Sequence, residues 1–145
     1  VNADALARGI EAGLSLKIVP EVELTVAYTW SDSWDSTLQQ RVLGVPEHRG
    51  QVAFLFDPLP AWQARVGWRI ESDQLDAALF SGKTHRPGFV VMDASTRYLL
   101  KLKGSGTREI ALTGKVQNLL GHRYEERLDN PSPGINFIIG AELKI

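Results

Sequence analysis

Apolar and polar side chains alternate along much of this chain, and residues 22–30 show the pattern most clearly. The apolar positions of this segment are Val22, Leu24, Val26, Tyr28 and Trp30. Successive side chains of a β-strand point to opposite faces of the sheet, so this spacing predicts a strand with one apolar and one polar face. The β-branched and aromatic residues in the segment also favour a strand over a helix.

The last segment of the chain alternates in the same way. Its apolar positions are Ile135, Phe137, Ile139, Ala141, Leu143 and Ile145. The positions between them are mostly polar, and Ile138 is the exception. Residues 135–145 are therefore predicted to form a strand.

Residues 5–18 fit two patterns. The apolar residues Leu6, Ile10 and Leu14 recur every four positions, which suits an amphipathic helix, but apolar and polar residues also alternate from position 10 to position 18. Inside a helix, Gly9 and Gly13 would each cost about 1 kcal/mol relative to alanine. The strand is therefore preferred.

The same alternation recurs along the rest of the chain and predicts seven strands in all. Their residues are 5–18, 22–30, 50–56, 62–71, 89–100, 108–119 and 135–145. The connections alternate between short turns and long polar loops, and the long loops are residues 31–47, 72–87 and 120–133. This rhythm predicts an all-β fold, an antiparallel up-and-down transmembrane β-barrel segment. Since bacterial single-chain barrels have an even number of strands, the seven are expected to be part of a larger barrel.

In such a barrel, the apolar face would contact lipid and the polar face would line a water-filled interior. Aromatic residues are expected to form belts at both membrane interfaces. The belt nearer the long loops is predicted to contain Tyr28, Trp30, Trp68 and Phe89, and the belt at the other end Phe56, Trp62 and Tyr98.

Composition narrows the function classes. The 145 residues carry a formal net charge of -1, so the chain lacks the basic excess of nucleic-acid-binding proteins. It has no cysteine and three scattered histidines, so neither a metal site nor a cofactor is predicted. No apolar run reaches the length of about 18 residues that a membrane helix needs, whereas membrane β-strands need only about 9 to 11.

Three short motifs carry a resemblance to a known family. Arg8, Gly9 and Glu11 form an R-G-x-E strand opening, and Pro46 and His48 form a P-x-H element before a strand. Near the end, a V-x-N-L-x-x-x-x-Y motif runs over residues 116–124, and a Pro-Gly loop and the final strand follow it. With these motifs the chain resembles the C-terminal part of the β-barrel of TonB-dependent outer-membrane receptors.

The resemblance implies that residues 1–145 are the C-terminal portion of such a barrel, without its plug domain and N-terminal strands. It implies a receptor in the outer membrane of a Gram-negative bacterium that takes up a scarce nutrient, such as a ferric siderophore or cobalamin, by active transport. The implied partners are outer-membrane lipid, the plug and remaining strands, TonB through the missing N-terminal part, and the outer-membrane assembly machinery. The implied assembly signal in the last strand comprises Phe137, Leu143 and Ile145.

Aromatic and cationic side chains in the long loops are the candidate ligand contacts. They suit an anionic, partly aromatic metal chelate, through stacking, cation–π contact and charge pairing. The candidates are Trp34 and Arg41 in the first loop, Lys83, His85 and Arg86 in the second, and Arg123 and Tyr124 in the third.

Other function classes remain open at this point. A passive outer-membrane pore or structural barrel would show the same strand pattern, and a soluble β-sandwich binding module would hide the apolar faces in a core. A hydrolytic triad of a histidine with Asp93 or Ser81 lacks any nucleophile-elbow signature. The chain is therefore not predicted to be an enzyme.

Overall fold

The computed structural model describes residues 4–102 and 108–144, and these form twelve strands. In chain order they are β1 (Ala5–Val19), β2 (Val22–Asp35), β3 (Gln40–Arg41), β4 (His48–Leu59), β5 (Trp62–Glu71), β6 (Gln74–Leu75), β7 (His85–Arg86), β8 (Phe89–Leu102), β9 (Arg108–Gln117), β10 (Glu125–Arg127), β11 (Asn130–Pro131) and β12 (Asn136–Lys144). Ile145, a predicted assembly-signal residue, lies outside the described residues.

Seven long strands form one antiparallel up-and-down sheet in the order β1-β2-β4-β5-β8-β9-β12. The predicted all-β fold and its seven strands are confirmed, and the helical alternative for residues 5–18 is wrong because β1 pairs with β2 along its length. The sheet does not close on itself among the described residues, since β1 and β12 lie at its two ends. In the described part of the chain, no helix is long and apolar enough to cross a membrane.

The strand register places the apolar positions on one face of the sheet. One row of paired residues crosses five strands and consists of Leu14, Val26, Val52, Trp68 and Met92. Among the described residues no other layer covers this face, and Ile139 of β12 is 90% exposed. The apolar face is therefore an outer surface and not half of a sandwich core.

The opposite face is mostly polar, and the long loops cover it at one end. A row on this face consists of Lys17, Glu23, Leu55, Arg65, Ser95, Lys115 and Ile138. Arg69 of this face reaches Glu126 in a loop at 2.7 Å. We call the end of the sheet where the three long loops emerge the loop end, and the opposite end the turn end.

Two strands, β2 and β4, run beyond their predicted limits at the loop end. The first loop begins only after Asp35, because β2 continues the antiparallel pairing with β1 up to Ala5. The second and third loops each contain a two-stranded ribbon, β6 with β7 and β10 with β11. These ribbons give the loops a fixed shape.

The predicted place of Phe89 in the aromatic belt is wrong. It lies at the loop end, but it pairs with Glu71 on the polar face and is only 3% exposed. A shift of one residue along a strand moves a side chain to the other face. Its neighbour Val90 faces outward, so Phe89 does not belong to the predicted aromatic belt.

Candidate functional site at the loop end

The second loop (residues 72–88) and the third loop (residues 118–135) pack together as one unit. Asp76 Oδ2 accepts a hydrogen bond from the backbone N–H of Leu128 at 3.0 Å. In return, Asp129 Oδ2 accepts from the N–H groups of Phe80 and Ser81 at 2.8 and 3.0 Å. Each loop therefore supplies a carboxylate that fixes the backbone of the other.

Asn118 organises the third loop. Its side-chain amide donates to the carbonyls of His122 at 2.8 Å and Pro133 at 3.2 Å, and its Oδ1 accepts from the N–H of His122. Its own N–H donates to Asp93 Oδ1 at 2.9 Å, which ties the loop to β8. Asn118 has a positive φ of 52°, a conformation that asparagine adopts more readily than most residues. The sequence motif contained Asn118, but no role was predicted for it.

A cluster of ion pairs joins the second loop to strands β4 and β5. Glu71 at the end of β5 lies 3.0 Å from Arg86, 3.4 Å from Arg49 and 3.9 Å from Arg69. Two of these guanidinium groups, those of Arg86 and Arg69, also lie over the ring of Phe89, at 5.0 and 5.2 Å from its centroid.

Arg86 is buried in this cluster, with 1% of its surface exposed. It donates to Glu71 Oε2 and to the carbonyls of Pro87 and Glu125. These contacts support a structural role that links the two loops to β5, and they do not present the guanidinium to a ligand as was predicted.

A pocket of about 480 Å³ lies at the seam between the two loops. Four of the seven predicted ligand contacts line it, namely Lys83, His85, Arg123 and Tyr124. Its other lining residues are Pro87, Gly88, His122, Glu125, Leu128 and Pro131. We call this cavity the seam pocket.

The chemistry of the seam pocket favours an anion with apolar or aromatic parts. Lys83 and Arg123 are exposed cations, and Tyr124 offers a ring that packs at 4.5 Å from the ring of Phe89. The imidazole of His85 lies 3.5 Å from the carboxylate of Asp73. His122 also lines the pocket but was not predicted as a contact, because its position depends on hydrogen bonds between Asn118 and the backbone of His122 that the sequence does not show.

The first loop's predicted contacts lie apart from the seam pocket. Arg41 pairs with Glu47 at 2.8 Å and approaches Asp32 at 3.8 Å. The hydrogen bond that Arg41 donates to Glu47 raises the pKa of Arg41. The same bond is the main cause that lowers the pKa of Glu47, and a hydrogen bond from Trp30 is the second. The charge of Arg41 is thus matched within its own loop.

Trp34 was predicted to lie in the first loop, but the structure places it in β2, where it lines a cavity of about 250 Å³. Its neighbours there are Leu6, Arg8 and Asp32. Arg8 and Asp32 form an ion pair of 2.9 Å, so this cavity offers Trp34 as a stacking surface beside an already paired cation.

Asp129 gives a prediction about pH. Hydrogen bonds from the Ser81 side chain and from the N–H groups of Phe80 and Ser81 lower the pKa of Asp129 from 3.8 to about 2. A lowered pKa in the folded state means that the carboxylate stabilises the loop contact fully above about pH 3.8 and loses this effect as the pH falls through about 2. Protection of the Phe80 amide, measured as its exchange rate relative to that of an unstructured peptide at the same pH, should therefore be kept at pH 4 and fall towards pH 2, whereas in Asp129→Asn it should already be lower at pH 4.

The predicted assembly-signal residues Phe137 and Leu143 lie on the apolar face of β12, and both are exposed. Across residues 4–102 and 108–144, no group of three or more histidine, aspartate or glutamate side chains could hold a metal ion.

Solved structures share this fold. The siderophore receptor PiuA from Acinetobacter baumannii matches with a TM-score of 0.70 and 18% identity over 94% of this chain and 21% of that chain. The copper transporter OprC matches with a TM-score of 0.78 and 20% identity over 97% of this chain and 23% of that chain. The ferric citrate transporter FecA matches with a TM-score of 0.78 and 15% identity over 97% and 24%. The chain thus spans about a fifth to a quarter of the length of these proteins.

The sequence comparisons give the family. No curated protein sequence matches the chain. The family described as "TonB dependent receptor-like, beta-barrel" matches residues 1–119, which is most of the chain. Together with the seven-stranded sheet and its apolar outer face, this match shows that the chain belongs to the TonB-dependent receptor β-barrel family.

Proposed function

We propose that this chain forms the C-terminal wall strands and outer loops of an outer-membrane receptor that takes up a scarce nutrient by TonB-dependent active transport. The observation that carries the proposal is the seam pocket, which gathers exposed cations and an aromatic ring at the loop end of a barrel sheet of this family. The apolar face of the sheet supports contact with the lipid of a Gram-negative outer membrane.

The ligand is an anionic metal chelate, such as a ferric siderophore. Lys83 and Arg123 supply positive charge to the pocket, and Tyr124 supplies an aromatic surface. The structural neighbours include a siderophore receptor and a ferric citrate transporter, which supports this ligand class over the neutral alternative of a cobalamin.

The partners follow from the family and lie beyond this chain. A plug domain and the remaining strands complete the barrel, and TonB engages through a part of the receptor outside residues 1–145. The assembly machinery reads β12, where Phe137 and Leu143 face outward.

The test uses the full receptor in cells and measures uptake of radiolabelled ferric citrate, a ferric catecholate and cyanocobalamin. Replacing both Lys83 and Arg123 with alanine should raise the half-saturating concentration of an iron chelate roughly tenfold, since two exposed charge contacts of up to about 1 kcal/mol each are lost. Lys101→Ala, an exposed cation at the turn end, should leave uptake unchanged.

A protonophore distinguishes active transport from passive diffusion through a pore. Uptake should stop when the proton gradient collapses or when TonB is deleted. Uptake of all three probes that continues at the same rate under both conditions would instead indicate a passive barrel, and the proposal would be wrong.

A further inference from the structure

A small charged pocket opens on the outer, apolar side of the sheet. It measures about 250 Å³, lies between β1 and β2 at the loop end, and is lined by Leu6, Arg8, Asp32 and Trp34. The register pairs Arg8 with Asp32 and Leu6 with Trp34, on the same parity as the apolar pair Leu14 and Val26. All four side chains therefore point away from the barrel interior. We call this cavity the outward pocket.

The outward pocket lies at the border of the apolar band. Asp32 lies ten residues beyond Val22, where β2 begins at the turn end. At about 3.4 Å per residue this separation is about 34 Å along the strand, and a strand tilt of roughly 40° reduces it to about 26 Å along the membrane normal. The apolar band of a membrane barrel is about 25 Å tall, so the pocket lies at the level where lipid headgroups begin. Trp30, two residues nearer to the band, is of the residue type that marks this level.

Arg8 has an unused hydrogen-bond donor in this pocket. Its Nε donates to Asp32 Oδ2 at 3.0 Å, and its Nη2 lies 2.9 Å from the same oxygen. Within residues 4–102 and 108–144, Nη1 of Arg8 makes no hydrogen bond, and 70% of the side chain is exposed. A guanidinium with a free nitrogen on its outer edge suits a phosphate oxygen.

The charges around the pocket are balanced, which restricts the kind of headgroup that fits. Asp32 Oδ1 lies 3.8 Å from Arg41, and Arg41 lies 2.8 Å from Glu47, so two cations face two carboxylates. A purely anionic headgroup would meet Arg8 but also the carboxylate of Asp32, which would repel it. A headgroup with both charges can place its anion on Arg8 and its cation on Asp32.

We infer that the outward pocket binds the headgroup of a membrane lipid that carries both a phosphate and a protonated amine, the chemistry of phosphoethanolamine. The phosphate accepts from Arg8, and the amine donates to Asp32 and lies over the ring of Trp34, which is 43% exposed. Leu6, 67% exposed, contacts the carbon chain that follows the headgroup. The inference rests on the proposed placement of the sheet in an outer membrane, and it assigns Trp34 to lipid and not to the transported ligand.

Lipid competition on the full receptor in detergent micelles tests the inference. The receptor is mixed with equal amounts of phosphatidylethanolamine and phosphatidylglycerol that have identical acyl chains, and native mass spectrometry measures how much of each stays bound. The unmodified receptor should retain more phosphatidylethanolamine. Asp32→Asn should lower the ratio of the two retained lipids at least fivefold, because Arg8 without its carboxylate favours the anionic headgroup.

Glu142→Gln is the matched control for this substitution. Glu142 is also an exposed carboxylate near an arginine, 3.9 Å from Arg97, but it lies on the polar face of the sheet. Both substitutions change the net charge by the same amount, so the control separates a local effect from a general one. The lipid ratio of Glu142→Gln should equal that of the unmodified receptor.

Substitution of Arg8 tests the phosphate contact. Arg8→Gln should lower the retention of phosphatidylethanolamine at least fivefold without raising that of phosphatidylglycerol, whereas Arg8→Lys, which keeps the charge, should restore part of the loss. Arg97→Gln is the matched control on the polar face and should change neither lipid.

A second arm identifies the source of the headgroup. It replaces the two phospholipids with lipopolysaccharide that carries phosphoethanolamine and lipopolysaccharide that lacks it. A preference for the amine-bearing form in the phospholipid arm assigns the site to a phospholipid, and a preference in the second arm alone assigns it to lipopolysaccharide.

Two outcomes would overturn the inference. They are equal retention of both lipids in both arms, and a lipid ratio that Asp32→Asn changes no more than Glu142→Gln does. The result is independent of the uptake assay. Energised uptake without any headgroup preference refutes the outward pocket alone, and a clear headgroup preference without energised uptake refutes the proposed transport alone.

Discussion

Gly88→Ala is expected to disrupt the loop end of the barrel wall. Gly88 lies where the second loop joins β8, and a Cβ atom there would lie 2.6 Å from the carbonyl oxygen of Glu71 and 2.9 Å from the backbone nitrogen of Asp73. Both contacts are with backbone, which cannot rotate away as a side chain can. Overpacking of this kind costs about 3 kcal/mol, and here it would separate β5 from β8 beside the seam pocket.

The effect is measurable on the full receptor in detergent micelles. Limited proteolysis should cut the second loop of Gly88→Ala at least tenfold faster than in the unmodified protein, and the denaturant midpoint should fall. Gly134→Ala is the matched control, because a Cβ there has no neighbour within 4 Å and its φ is not positive. Equal proteolysis of the two variants would contradict the close approach described for Gly88.

Glu71→Gln should produce the second largest effect. The carboxylate of Glu71 is the shared partner of Arg86, Arg69 and Arg49, and the side chain of Arg86 is 1% exposed. Removing one partner of a buried ion pair leaves an uncompensated charge and costs roughly 3 to 5 kcal/mol. We expect a loss near 3 kcal/mol, because glutamine still accepts one hydrogen bond from Arg86.

Hydrogen exchange at the amides of Arg86 and Phe89 is the suitable measurement, since the loop end can open without global unfolding. Exchange should quicken about a hundredfold in Glu71→Gln. Asp32→Asn is a matched control, because Asp32 also contacts two arginines, Arg8 and Arg41, but at an exposed site. Exposed pairs contribute up to about 1 kcal/mol, so exchange near Asp32 should change less than tenfold.

The strands could be predicted from the sequence because burial on one face imposes a period of two. Each residue of a strand follows that period, so the alternation in residues 22–30 could be recognised without knowing which strands lie beside it. Phe89 obeys the same period, because its parity is opposite to that of Val90 and Met92, and this places it on the polar face beside Glu71. Its nearness to the loop end was therefore not sufficient to assign it to the aromatic belt.

The site could be predicted only in part. Aromatic and cationic loop residues suggested Lys83, His85, Arg123 and Tyr124, and these do line one pocket. Arg86 has the same chemistry in the sequence as its neighbours, yet it is buried by Glu71, 15 positions away, and Glu125, 39 positions away. Contacts between residues so far apart in the sequence produce no periodic pattern of apolar and polar residues. The packing of the loops could therefore not be predicted from the sequence.

The free sides of β1 and β12 have a consequence for how the wall enters a membrane. Within the described part of the chain, each of these strands has a long neighbour on one side only, so alternate amide and carbonyl groups along the other side point away from the sheet. Hydrocarbon offers no water to bind those groups, and extended chains persist there only when every strand has two neighbours. If this sheet forms part of an outer-membrane barrel, as proposed, insertion into the bilayer and completion of the cylinder would therefore be a single event.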